Sequence, residues 1–459
     1  MKTFFKMLLA TIPLLVIFSS CTTEPALEKA NYTGPSNGYV YWYEEEGRDK
    51  DFEKAVIEFA NTFLQKHPRV ADKEIKIITD LINDEAIFSN KYYDENLRAQ
   101  FIDRVNLLIP RIDELEDYEI VFEMESIVAM LKDGHSVVYF EDGGRYYPLF
   151  LEAIYTESDV DFYALRVPSE NEDLAFAKLI AINGVPVKEV AAKAEKYLSA
   201  ENIYHINAQL ESSLLDERLL KVIDVVEKES DTADYTFIKD DGTEVTVTFS
   251  SYDLEGYYEL DYIENHLSYT DALMYKSELN FWYEFIDEET LYIRLQGFFT
   301  NDYSSLLKIV TELNNKVTDE SPIKKTIVDI RDNSGGQKVP GYNEFIEMLN
   351  EDKFGNVYAL INEDCFSMAV IMPSLLKQNV KDIVLVGTPT GEPPLVFGVI
   401  GNVSEFSGSG VIFQMGEYAV SAWEDYEYDA LMPDITVYQT IEDYKNGIDS
   451  VLEAVLEME

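Results

Sequence analysis

From about residue 256 onward, strand-like runs alternate with helix-like ones, and this alternation constrains the fold more than any other feature. "TLYIRLQGF" precedes a helical stretch near 302–315, "KKTIVDIRDNSGG" is an apolar run closed by paired glycines, "FGNVYALINED" leads into "CFSMAVIMPSLLKQN", and "KDIVLVGTPTG" is a further run. Strands buried on both faces read as near-continuous aliphatic runs, and the helices between them cover those faces. Residues 256–459 are therefore expected to form a layered α/β core. The pair Gly335–Gly336 lets the backbone turn tightly and aim N–H groups at a ligand, although a plain turn accounts for two glycines equally well.

Two segments of different texture come first. In 49–135, "FEKAVIEFANTFLQKH", "ENLRAQFIDRVNLLIPRIDEL" and "YEIVFEMESIVAMLKDG" space apolar residues by three and four, which predicts an all-helical domain, with Gly134 as a C-cap. In 136–255, "SVVYF", "YYPLFLEAIY", "DFYALRV" and "KLIAINGVPV" look like strands, and "ADYTFIKDDGTEVTVTFS" reads as a hairpin around Asp241–Gly242. That span is expected to be a β-rich module with one or two helices. The fold class is α+β, multidomain.

The N-terminus reads "MKTFFKMLLATIPLLVIFSSCTTEP". Two lysines precede an apolar stretch too short to span a bilayer comfortably, and small residues then lead to Cys21. Residues 1–21 resemble a bacterial lipoprotein signal, which implies lipidation of Cys21, a membrane anchor and an extracytoplasmic location. Residues 22–48 read as a polar tether. With Cys21 lipidated, Cys365 is the one cysteine left, so no intramolecular disulfide forms and the fold rests on its cores. The chain carries 37 basic and 86 acidic residues, net −49; removing Lys2 and Lys6 gives −49 − 2 = −51. Such a chain is repelled by nucleic acid, which excludes DNA and RNA partners.

Three stretches could carry chemistry. In "INEDCFSMAVIMPSLL" a helix begins near Ser367, which places a hydroxyl by the positive helix end and free N–H groups. The plain alternative is that Ser367 caps the helix. Cys365 is a rival nucleophile, or a buried small hydrophobe. "DGHS" puts His135 at a junction between segments, where a turn histidine is either a base or simply polar. "WEDYEYDALMPDITV" offers Glu424, Asp425, Glu427 and Asp429, any of which could orient an imidazole.

In order along the chain, "HP" (67–68), "DGHS" (133–136), "LIAINGVPV" (179–187), "VDIRDNSGG" (328–336), "CFSMA" (365–369), "VGTPTGEP" (386–393) and "MPDITV" (432–437) together resemble the serine peptidase family of tail-specific (C-terminal processing) proteases and the tricorn core protease. The resemblance implies a crotonase/ClpP-like catalytic core preceded by a PDZ-like module over 136–255. Tail-specific members use a Ser–Lys dyad with the lysine in "TGK". Here the segment is "PTGEPP", with Glu392 where the lysine would stand. The chain is closer to the tricorn-like Ser–His–Glu type. What the resemblance implies is Ser367 as nucleophile, His135 as base, Glu427 as the carboxylate that orients it, and an oxyanion hole of backbone N–H groups from Gly335 or Gly336 and Met368. It implies a peptide or unfolded protein substrate and acyl-enzyme chemistry with no cofactor or metal. The alternative is a non-catalytic peptide-binding surface lipoprotein on the same scaffold.

Overall fold

The computed structural model describes residues 47–140, 143–263, 273–299, 305–399, 404–406 and 409–458. The signal-like segment, Cys21 and nearly all of the tether lie outside the described residues.

The C-terminal alternation folds into a six-stranded sheet. Its order is Phe281–Phe285, Thr290–Leu295, Lys325–Asp329, Asn356–Ile361, Val384–Gly387, Ile435–Thr436. The first pair is antiparallel and the other pairings are parallel. Side chains alternate between the faces. Val328, Ala359 and Ile361 pack with the helices Leu306–Lys316, Tyr342–Leu349 and Met368–Asn379. Ile327, Tyr358 and Leu360 face the C-terminal helix Ser450–Glu457 through Val451, Leu452 and Val455. The loops that leave the carboxyl ends of the parallel strands are where α/β sheets place their sites.

The β-rich module is also present. Five strands run in the order Glu244–Ser250, Thr232–Ile238, Lys178–Ile182, Val160–Arg166, Phe150–Tyr155, all pairings antiparallel, over a core of their own. Its expected start at 136 is displaced. Val137–Phe140 pairs with Val411–Gln414, so "SVVYF" belongs to a different sheet.

The N-terminal segment differs from the all-helical expectation. Helices Arg48–Lys66, Glu95–Leu108 and Asp117–Ala129 are where the periodicity puts them. Between them, Ile75–Asp80 and Glu85–Ser89 form a hairpin that extends a sheet with Gly416–Ser421 and Leu395–Val399. "IKIITD" alternates with period two, and its partner is remote in sequence: Ile77 pairs with Ala419, 419 − 77 = 342 positions away. The helices and the core thus share a sheet. Nor is Gly134 the left-handed cap; Lys132 takes the positive φ of 47°. Gly134 is needed for space instead, since a Cβ there would stand 2.5 Å from His205 and 2.9 Å from Phe366.

Candidate active site

Ser367 sits between the strand Asn356–Ile361 and the helix Met368–Asn379, with φ 59° and ψ −123°. A side chain in that region is strained by roughly 1–3 kcal/mol, and such strain persists only where surrounding structure imposes it. Sharp strand-to-helix turns of this kind push a nucleophile out of the sheet. Ser367 is at the N-cap position but makes no side-chain capping bond. The hydroxyl is therefore not explained as a cap.

The turn is held by the glycine loop. Asn333 donates from Nδ2 to the Leu295 carbonyl (2.7 Å), its own carbonyl accepts from Phe366 N–H (3.1 Å), and its Oδ1 accepts from Gly335 N–H (2.8 Å). Gly335, with φ 96°, packs so closely that a Cβ would lie 2.6 Å from the Ser367 Cβ and 2.9 Å from Met368 N. Since Gly335 spends its N–H on Asn333, it is not an available oxyanion donor. Gly336 and Met368 N–H make no hydrogen bond among the described residues, so they remain the donors that could serve. Cys365 is fully buried, and burial raises its thiol well above the ordinary value. A thiol held protonated is not a nucleophile.

His135 is brought to this turn from the other end of the chain. Its ring stacks on Phe366 at 4.4 Å and 24°. Its Nδ1 lies 3.1 Å from Glu392 Oε1, while Glu392 Oε2 accepts from Ser367 N–H at 2.5 Å. One carboxyl group thus bridges the candidate base and the backbone of the candidate nucleophile. The alignment is loose: neither His135 Nδ1 nor Glu392 Oε1 completes a hydrogen bond, and none joins His135 to Ser367 Oγ among the described residues. Catalytic hydrogen bonds are often long before substrate binds.

Around them is a buried polar cluster. Asp133 accepts from His135 N–H (2.9 Å) and Ser136 Oγ (2.6 Å) and lies 3.0 Å from His67 Nε2. Glu201 accepts from Gly134 N–H (2.8 Å) and lies 3.5 Å from His205 Nδ1. Three of the chain's four histidines meet here. Burial pushes the His135 imidazole below its ordinary pKa, against the pull of Asp133 and Glu201, so it is a neutral imidazole at neutral pH, as a base must be. Burial raises Glu392 to about 8, and Glu201 also to about 8 with Glu392 adding to the effect.

The carboxylate implied for His135 is a correction. Glu427 is exposed, as are Glu424, Asp425 and Asp429, and none of the four bonds to His135 among the described residues. Fully buried Glu392 stands there instead. Its signal was in the sequence: "PTGEPP" carries an acid where the resemblance leads one to expect lysine. Ser136 also has a place. It bonds to Asp133 and accepts from Gly416 N–H at 3.0 Å, a structural link rather than a nucleophile.

No protein-family model and no curated protein sequence matches this chain. Solved structures do. Mature CPAF complexed with lactacystin aligns over 89% of this chain and 97% of its own, at 12% identity and a TM-score of 0.56. The tricorn protease aligns over 89% of this chain and 36% of its own (13%, 0.38), and the photosystem II D1 C-terminal processing protease over 87% and 98% (14%, 0.37). The CPAF alignment establishes a shared multidomain fold of helices and sheets; the other two are too distant to argue from.

Proposed function

We propose that this chain is a serine peptidase acting on peptides or unfolded protein segments through an acyl-enzyme, with Ser367 as nucleophile and His135 as base. The observation that carries the reading is the uncapped, strained Ser367 at a helix N-terminus, joined to His135 by Glu392 and Phe366. In the mechanism, His135 takes the Ser367 proton as Oγ attacks the carbonyl and later delivers it to the leaving amine. Above about pH 8, where Glu392 is a carboxylate, it fixes the tautomer and stabilises the imidazolium. Met368 N–H, at the helix end, and Gly336 N–H, in the glycine loop, are the donors to the oxyanion. The similarity in fold to CPAF supports a protease. The leader sequence supports attachment outside the cytoplasm through lipid on Cys21.

An active-site fluorophosphonate should label the full chain at Ser367, with His135→Ala suppressing the reaction. No labelling under conditions that label a control serine protease sinks the proposal. A second reading, peptide binding without cleavage, is favoured by the unformed hydrogen bond between His135 and Ser367. It predicts that Ser367→Ala leaves peptide affinity unchanged and that no cleaved product appears by mass spectrometry.

A further inference from the structure

Among the described residues, four buried polar atoms in one small volume lack a hydrogen-bond partner: His135 Nδ1, His205 Nδ1, Glu201 Oε2 and Glu392 Oε1. Glu392 is fully buried and His135 is 8% exposed. His135 Nδ1 is 3.1 Å from Glu392 Oε1 and 3.9 Å from Asp133 Oδ1, and His205 Nδ1 is 3.5 Å from Glu201 Oε2. One ligand atom from each of Asp133, His135 and Glu201 lies within 4.8 Å of the others. A ring nitrogen this close to a carboxylate oxygen, yet not hydrogen-bonded to it, has its in-plane direction aimed elsewhere. Ligands about 2.0–2.2 Å from a tetrahedral zinc stand roughly 3.3–3.6 Å apart, so the three side chains, with His135 Nδ1 3.9 Å from Asp133 Oδ1 and all ligand atoms within 4.8 Å, close on an ion by shifts of about 1 Å. A proton shared by Glu201 and Glu392 would satisfy the two oxygens and leave both Nδ1 atoms as they are.

We propose that Asp133, His135 Nδ1 and Glu201 form a three-ligand site for one divalent transition-metal ion of the zinc class. Imidazole with carboxylate suits such an ion better than calcium or magnesium, which take oxygen ligands. The ligands are supported from behind, as metal ligands usually are. His67 Nε2 and Ser136 Oγ hold Asp133, and Gly134 N–H holds Glu201. The site departs from the metal-free chemistry implied by the family resemblance. Its consequence rests on the peptidase reading. With Nδ1 bound to metal, the imidazole keeps its proton on Nε2 and cannot accept one from Ser367, so the ion inhibits.

Equilibrium dialysis of the full chain against Zn²⁺, with excess Mg²⁺ to occupy exposed carboxylates, tests the binding. One tight equivalent is expected. Glu201→Gln should weaken it by more than the roughly 10–100-fold that loss of an outer partner costs, and Glu427→Gln should not change it. No tight equivalent, or equal binding by both variants, overturns the site. Should Glu201→Gln fail to fold, Co²⁺ added to the unaltered chain decides: the visible bands of a four-coordinate ion, abolished by Zn²⁺, support the site, and their absence overturns it. Fluorophosphonate labelling separates the two proposals. Tight zinc binding by a chain that never labels, even with a chelator present, leaves the site standing and sinks the peptidase; equal labelling with and without bound zinc overturns the inhibition.

Discussion

Two buried charged clusters flank the Ser367 turn, and they are built to opposite rules. Below the glycine loop, Arg331 donates to Asp449 (2.7 Å to each oxygen) and to Asp329 (2.6 and 3.0 Å), while Arg294 reaches Asp329 at 3.3 Å and the Arg331 carbonyl at 2.6 Å. Tyr292 donates to Asp329 as well. Apart from Arg294 Nε, that network is satisfied. On the other side, Asp133, His135, Glu201, His205 and Glu392 meet with four atoms unpartnered among the described residues. Burying charge is tolerable when each charge is paired and bonded, and the first cluster meets that condition; it anchors the loop that carries Gly335. The second violates it, and unsatisfied buried groups mark the places where a protein keeps capacity for a substrate, a proton or an ion.

The comparison can be broken from either side. The largest effect is expected at the unsatisfied cluster. Glu392→Gln, assayed above pH 8 with a chelator so that the native group is a metal-free carboxylate, should lower the labelling or cleavage rate by roughly 10⁴-fold, the scale of losing the orienting acid in a Ser–His–acid triad. Glu427→Gln should leave the rate unchanged. If the two effects are reversed, the orienting acid is Glu427 after all. In the satisfied cluster the effect should fall on stability. Arg331→Met leaves Asp329 and Asp449 buried without their partner, which should cost about 3–5 kcal/mol in urea unfolding. A loss below about 1 kcal/mol would mean that water reaches these carboxylates and that the pairing is ordinary surface electrostatics.

A third group sharpens the contrast through pH. Glu152, Asp332 and Glu363 line a cleft beside the Ser367 loop, with Glu211 and Asp364 adjoining. Burial, reinforced by Asp332, pushes Glu152 to about 8 and Glu363 to about 7. A folded-state pKa above the unfolded one favours the protonated fold. The contribution is complete below the ordinary carboxylate range and is lost as pH rises through about 7 to 8. Urea midpoints should therefore fall between pH 5.5 and 8.5, and Glu363→Gln should flatten the slope. A stability that rises over this interval would refute the assignment.

What was readable in the sequence follows from what is local. The apolar runs 325–329, 356–361 and 384–387 announced their parallel strands because strands covered on both faces have little choice of composition. That His135 lies near the Ser367 turn could be expected from the resemblance, because the dyad lysine was visibly missing. The hairpin at 75–89 was not, because its stabilising partner is the strand 416–421 and its short period-two run competes with strong helical patterns on both sides. Glu392 was seen but assigned only a negative meaning. A downstream acid was chosen by motif distance, whereas burial favours the other: Glu392 is enclosed and Glu427 is in solvent. Glu201 and His205 carried no local signal, since the module's helix Ile203–Ser213 meets the core only in three dimensions.

The smallest effect isolates the backbone at Ser367. Its φ of 59° with ψ −123° strains any residue that has a Cβ, and its hydroxyl makes no capping bond in return. Ser367→Ala removes the hydroxyl and keeps the strain, so its stability should match that of the unaltered chain. Ser367→Gly removes both. Relief of roughly 1–3 kcal/mol of strain is partly offset by roughly 0.4–1 kcal/mol from the freer unfolded chain, leaving a gain of about 1 kcal/mol. Both variants should be silent to fluorophosphonate. Urea unfolding of the pair then measures the strain net of the unfolded-chain entropy, free of any effect of the chemistry, which is lost in each. Equal stability of the two would mean that the turn is relaxed, and that the geometry around Ser367 comes from the paired Asp329–Arg331–Asp449 network without any local cost for the function to explain.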